Sequence, residues 1–149
     1  LVVLSYPLLD FNHQYDSVVA DPDNQLPTKL SPMPKLDFLT GALKTVVGKE
    51  LTRENLQEHS PIEHISADTV PTFIWGMQND DCIYNNALLD YAKKLKDKAV
   101  LYELHMFAMG EHGLSVINRN TQAEFSDYEE LAIWKKLCMN FINQVLALN

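Results

Sequence analysis

Three short apolar runs, separated by segments with helical periodicity, constrain the fold of this chain most strongly. They cover residues 1–6, 71–76 and 100–107, and each is rich in the β-branched or aromatic residues that favour strands. Unbroken hydrophobicity in the first two is typical of strands buried on both faces of a parallel sheet. Because strands that alternate with helices are joined by right-handed crossovers, the order predicts an α/β fold with three parallel strands and flanking helices.

The segments between the runs differ in their predicted structure. Apolar residues recur at helical spacing in 35–47, in 86–98 and from about 127 to 148. A short helix is predicted to begin with Thr52 or a neighbour as its N-cap. Residues 8–34, by contrast, carry many Asp, Asn and Pro residues and are predicted to form a long, irregular excursion.

Composition excludes several classes of partner. The formal net charge of −8 argues against nucleic acid and against an anionic membrane surface, since both need clustered Lys and Arg. No apolar window is long enough to span a membrane. Cys82 and Cys138 form no paired motif, and the histidines outside the loop discussed next show no metal-ligand spacing. We therefore expect no metal and no cofactor, and reduced thiols in a cytoplasmic protein; because the sequence does not begin with Met, secretion is left open.

One histidine follows the third strand in a glycine-bracketed loop, Gly110-Glu111-His112-Gly113. Asp80 follows the second strand. Because the carboxyl ends of parallel strands meet at one edge of a sheet, these two side chains are predicted to pair. In such a pair the carboxylate fixes the imidazole tautomer, and the histidine acts as a general base. Asp81 is the alternative acid, since a shift of one residue would select it.

Four stretches, 3–7, 54–62, 71–83 and 102–115, resemble in their order and spacing the C-terminal half of an α/β hydrolase. Within that superfamily the chain is most similar to the small bacterial acetyl esterases and xylan-esterase-like lipases, which are relatives of the dienelactone hydrolases. The family acid usually lies in an Asp-x-x-Val-Pro context. Asp80 fits that frame with Ile83 in the Val position, whereas Tyr84 replaces the Pro.

The resemblance implies that residues 1–149 are a partial α/β-hydrolase domain whose nucleophile half is absent. It implies a carboxylic ester hydrolase with a Ser-His-Asp triad, in which His112 is the base and Asp80 the acid. The substrate would be a small ester, with an acetylated carbohydrate as one candidate. No Gly-x-Ser-x-Gly motif occurs in the chain, so the serine is expected upstream, and the chain alone is expected to be inactive.

Two other interpretations remain open at this point. The chain could be an inactive hydrolase fragment that acts as an interaction module. It would then self-associate through the unpaired edge of its first strand, from Leu1 to Tyr6. Alternatively it could belong to a serine hydrolase of the prolyl-peptidase type, because an acid and a base alone do not distinguish peptide from ester substrates.

Overall fold

A three-stranded parallel sheet forms the centre of the molecule in the computed structural model, which describes residues 1–21, 31–48, 50–118, 120 and 128–148. Its strands are β1 (Val2–Ser5), β2 (Thr72–Met77) and β3 (Tyr102–Phe107), in the spatial order β1-β2-β3. The predicted α/β class with three parallel strands is confirmed. All three strands run in one direction, so their carboxyl ends lie at the same edge of the sheet.

Five helices flank the sheet in the described residues: α1 (Phe11–Ala20), α2 (Lys35–Val47), α3 (Arg53–His59), α4 (Asn86–Asp97) and α5 (Ile133–Ala147). Short 3₁₀ turns occupy Pro61–His64 and Glu129–Ala132. Helix α3 begins as predicted, because the Thr52 side chain accepts a hydrogen bond from the amide of Asn55. None of the helices described has the length and hydropathy to cross a membrane.

The central strand β2 is buried along its whole length because helices cover both of its faces. Ile74 packs with Leu88 and Leu95 of α4 on one face. Phe73 and Trp75 pack with α5 on the other face. This two-sided burial explains the unbroken apolar run that marks β2 in the sequence.

Two tryptophans connect the last helix to the sheet. The rings of Trp75 in β2 and Trp134 in α5 are stacked, with centroids 4.8 Å apart and planes inclined by 13°. The indole Nε1 of Trp75 donates a hydrogen bond to the hydroxyl of Ser5 in β1, at 2.8 Å. One side chain of β2 thus joins the first strand and the last helix.

The predicted irregular excursion over residues 8–34 is wrong for residues 11–20, which form α1. Asp10 caps this helix by accepting a hydrogen bond from the amide of His13 at 2.9 Å. Phe11, Gln14 and Val18 recur at helical spacing and are buried. The polar residues that suggested a loop therefore serve as a cap and as the outer face of a helix. Residues 22–30 of the excursion lie outside the described residues.

A 3₁₀ turn precedes the final helix. The predicted start near residue 127 lies outside the described residues; the structure has a 3₁₀ turn at Glu129–Ala132 and α5 from Ile133 to Ala147. Neither element has a side-chain hydrogen bond at its cap. The tighter i→i+3 bonding of this turn is common at helix ends.

Candidate active site

Two loops meet where β2 and β3 end. The acid loop, residues 79–84, follows β2, and the histidine loop, residues 108–115, follows β3. Between them, Nδ1 of His112 lies 2.9 Å from Oδ2 of Asp80 and 3.2 Å from its Oδ1. The Asp80 side chain is fully shielded from solvent, whereas the His112 side chain is 19% exposed. The structure thus brings a buried carboxylate and a partly exposed imidazole together.

The acid loop fixes the orientation of Asp80. Its Oδ1 accepts hydrogen bonds from the amides of Cys82 and Ile83, both at 2.8 Å. This is the local turn that Asp and Asn side chains favour. With Oδ1 held by two amides, Oδ2 faces His112. Asp80, and not the alternative Asp81, supplies both carboxylate oxygens that contact the imidazole.

The contact with Asp80 also determines which ring nitrogen of His112 carries the proton. An ionised carboxylate only accepts hydrogen bonds, so Nδ1 is the protonated nitrogen of the neutral imidazole. The lone pair then lies on Nε2, which has no hydrogen-bond partner in the described part of the chain. The arrangement can therefore accept a proton at Nε2 while Asp80 stabilises the resulting positive charge.

Gly110 allows the histidine loop to approach the sheet closely. Its φ is +153°, and its amide donates a hydrogen bond to Oδ1 of Asn79 at 2.8 Å, which joins the two loops. A Cβ atom at this position would lie 2.5 Å from the side chain of Met77 and 3.0 Å from that of Leu131. The glycine noted in the sequence is thus required by both backbone angle and space.

Tyr6 also contacts the histidine loop, and the sequence interpretation missed it. It follows β1 with a φ of +40°, and its ring meets the imidazole of His112 edge-on, with centroids 4.9 Å apart. Its hydroxyl accepts a hydrogen bond from the amide of Ser115 at 3.2 Å. The rule that predicted Asp80 and His112 would also have found Tyr6, since β1 ends at the same edge of the sheet.

Possible metal ligands of the acid loop and three other histidines already have hydrogen-bond partners. Asp80, Asp81 and Cys82 place possible metal ligands within 4.8 Å of one another. Both oxygens of Asp80 are, however, held by His112 and by backbone amides. The ring nitrogens of three other histidines bond acceptors close by in sequence: His59 with Asn55, His64 with Glu58 and His105 with Glu103.

Solved structures share this arrangement of strands and helices. The chain matches an acetyl ester-xyloside bifunctional hydrolase from Caldicellulosiruptor lactoaceticus with a TM-score of 0.68 and 24% identity, over 96% of this chain and 41% of that one. It matches the carboxylesterase Cest-2923 from Lactobacillus plantarum with a TM-score of 0.64 and 20% identity, over 95% and 43%. It matches MGS-M1, an α/β hydrolase from a deep-sea metagenome, with a TM-score of 0.52 and 22% identity, over 56% of this chain and 35% of that one. The chain has the carboxyl-terminal part of the α/β-hydrolase fold.

The chain corresponds to only part of each solved structure that it matches. The chain spans 35% to 43% of the three solved structures. Endo-1,4-beta-xylanase B of Butyrivibrio fibrisolvens is 31% identical over 78 residues, which are 52% of this chain and 12% of that protein. No protein-family model matches the chain. In α/β hydrolases the nucleophile precedes the acid, and the acid precedes the histidine; Asp80 and His112 occur here in that order.

Proposed function

We propose that the protein carrying this chain is a carboxylic ester hydrolase of the serine type. His112 is the general base and Asp80 the acid that orients it. The serine lies upstream, outside these 149 residues. The observation that carries the proposal is the 2.9 Å contact between Nδ1 of His112 and Oδ2 of Asp80 at the ends of neighbouring parallel strands.

The geometry suggests how the pair acts in each half of an acyl transfer. Nε2 of His112 takes the proton from the serine hydroxyl as the serine oxygen bonds to the ester carbonyl carbon. The imidazolium then gives that proton to the departing alcohol, which leaves an acyl-enzyme. In the second half, Nε2 takes a proton from water, the hydroxide displaces the serine oxygen, and the proton returns to that oxygen. Asp80 stabilises the imidazolium in both halves.

Two serines of this chain near the site do not fit the role of nucleophile. Ser5 lies in β1, and its hydroxyl accepts the hydrogen bond of the Trp75 indole. Ser115 follows the histidine in the same loop, and its amide bonds the hydroxyl of Tyr6. Neither lies in a Gly-x-Ser-x-Gly turn, which exposes the nucleophile in α/β hydrolases. For this reason the 149 residues alone are expected to be inactive.

The names of two proteins that the chain resembles support a candidate substrate class. One solved structure is named an acetyl ester-xyloside bifunctional hydrolase, and the sequence relative is named an endo-1,4-beta-xylanase. An acetylated carbohydrate is therefore the candidate natural substrate, with a short acyl group on a sugar hydroxyl.

The test is an assay of the longer polypeptide that includes the upstream segment. We expect hydrolysis of p-nitrophenyl acetate and covalent labelling of one upstream serine by a fluorophosphonate, located by mass spectrometry. A peptide p-nitroanilide, assayed beside the ester, tests the peptidase alternative. Labelling of no serine, with no ester cleaved, would contradict the proposal.

A second candidate function is self-association through the open edge of β1. In the described residues this strand pairs with β2 alone. The amides of Val2 and Tyr6 bond carbonyls of Pro71 and Trp75 at 2.9 and 2.7 Å. Because amides alternate in direction along a strand, the amide of Val3 points to the open edge. Such an edge is a template for another strand.

Val3→Pro tests that candidate. Proline removes the outward amide at residue 3 and leaves the bonds of Val2 and Tyr6 to β2 in place. We expect the 149-residue chain to self-associate in sedimentation velocity and Val3→Pro to shift it toward monomer. Val3→Ala, which keeps the amide and shortens a 37%-exposed side chain, is the matched control. A wild-type chain that sediments as a monomer at high concentration would exclude an edge-driven interaction module.

A further inference from the structure

We propose that Gln14 is a positioning residue, which holds the acid loop in the conformation that presents Asp80 to His112. Its consequence for catalysis rests on the proposed function, whereas its consequence for the Asp80–His112 contact does not. Gln14 lies in α1, in the segment that the sequence predicted to be irregular.

Both polar atoms of the Gln14 side chain form hydrogen bonds with the backbone of the acid loop. Its Nε2 donates a hydrogen bond to the carbonyl of Cys82 at 2.6 Å. Its Oε1 accepts one from the amide of Tyr84 at 3.1 Å. The residue is only 2% exposed. A buried amide with two backbone partners is costly to remove, because each partner would be left unsatisfied.

The residues that Gln14 holds include those that hold Asp80. Oδ1 of Asp80 accepts from the amides of Cys82 and Ile83. Gln14 bonds the next carbonyl and amide along the same short stretch, at Cys82 and Tyr84. A movement of this stretch would therefore release Oδ1 and let Oδ2 turn away from His112. The series of contacts runs from α1, through the backbone of the acid loop, to the carboxylate and the imidazole.

The Tyr84 side chain attaches the outer end of the acid loop to the same segment. Its hydroxyl donates to Oδ2 of Asp21, the C-cap residue of α1, at 2.6 Å. Burial and this hydrogen bond raise the pKa of Tyr84 well above its usual range, so the hydroxyl keeps its proton. Lys35 lies 3.5 Å from the same carboxylate oxygen and 5.0 Å from the centre of the Tyr84 ring. Both ends of residues 82–84 are thus joined to α1 or its cap.

The experiment measures the Asp80–His112 hydrogen bond directly in the longer polypeptide. With histidine labelled in ¹⁵N, the Nδ1–H proton of His112 gives a downfield resonance, assigned by its loss in His112→Gln. Gln14→Met keeps the length of the side chain but removes both hydrogen bonds. Gln14→Asn keeps the amide but is one methylene too short to reach both Cys82 and Tyr84. Phe11→Leu is the matched control, because Phe11 is buried in α1 but packs with α2 and α3.

We expect the downfield resonance to be lost or shifted upfield in Gln14→Met and in Gln14→Asn, and to stay unchanged in Phe11→Leu. In the same variants of Gln14, kcat for the ester should fall about 10- to 100-fold with KM unchanged, as for small misplacements of a catalytic group. An unchanged resonance in either folded Gln14 variant would overturn the positioning role. An altered resonance in a protein that cleaves no ester would uphold that role and contradict the proposed function.

Discussion

We expect His112→Ala to lower kcat for ester hydrolysis by about 10⁴-fold or more in the polypeptide that carries the nucleophile, as removal of the base does in serine hydrolases. In the proposed mechanism this imidazole takes the serine proton, and the described residues place no other imidazole beside Asp80. Substrate binding does not depend on the proton transfer, so KM should change much less than kcat. Steady-state rates with p-nitrophenyl acetate provide the measurement.

His64→Ala is the matched control for this variant. His64 is exposed in the 3₁₀ turn after α3, and its imidazole bonds the carbonyl of Glu58. Its removal should leave kcat within about twofold of the wild-type value, in line with the small effects of surface substitutions. Retention of full activity by His112→Ala would remove this histidine from the mechanism.

The second large effect is expected for Asp80→Asn, which should lower kcat by about 10³- to 10⁴-fold. The asparagine carbonyl can still accept the amides of Cys82 and Ile83, so the acid loop should keep its shape. Its NH₂ group, however, would face Nδ1 of His112 and donate a hydrogen bond to it. That contact favours the tautomer with the proton on Nε2, and this tautomer cannot take a proton from the serine.

Asp81→Asn distinguishes the two acids that the sequence left open. It makes the same chemical change one residue along, at a carboxylate other than the one whose Oδ2 lies 2.9 Å from Nδ1 of His112. We expect kcat within about threefold of wild type, because a partly buried turn residue acts on the rate only indirectly. A larger loss in Asp81→Asn than in Asp80→Asn would mean that the acid loop rearranges when the nucleophile half is present. Urea unfolding of both variants separates lost stability from lost chemistry.

The sheet and the Asp80–His112 contact could be predicted because both depend on short-range patterns. An apolar run indicates a strand buried on both faces. The residue after a parallel strand lies at the edge of the sheet where the carboxyl ends of the strands meet. Asp80 and His112 needed only these two rules. Their local geometry, with two amides on Oδ1 and glycine at 110, also depends on residues next to them in sequence.

Contacts between distant segments could not be predicted in this way. Gln14 and the acid loop are separated by 68 to 70 residues, and Tyr6 and Ser115 by 109. Nothing near Gln14 in the sequence indicates a partner so far along the chain. The contact of the Tyr84 hydroxyl with Asp21 also joins residues far apart in the sequence. Helix α1 was missed because its apolar residues are few and recur among polar ones.

The stacked indoles of β2 and the last helix make the assembly of this domain visible by optical spectroscopy. Trp75 and Trp134 are the only two tryptophans of the chain, and their rings lie 4.8 Å apart and nearly parallel. Transition dipoles at that distance couple, and where the two dipoles are skewed within their planes the coupling produces a paired band in circular dichroism that isolated indoles lack. The band exists only while the carboxyl-terminal helix is docked on the sheet. Loss of this band while the far-ultraviolet signal of the sheet is retained therefore reports release of the last helix, without any added label.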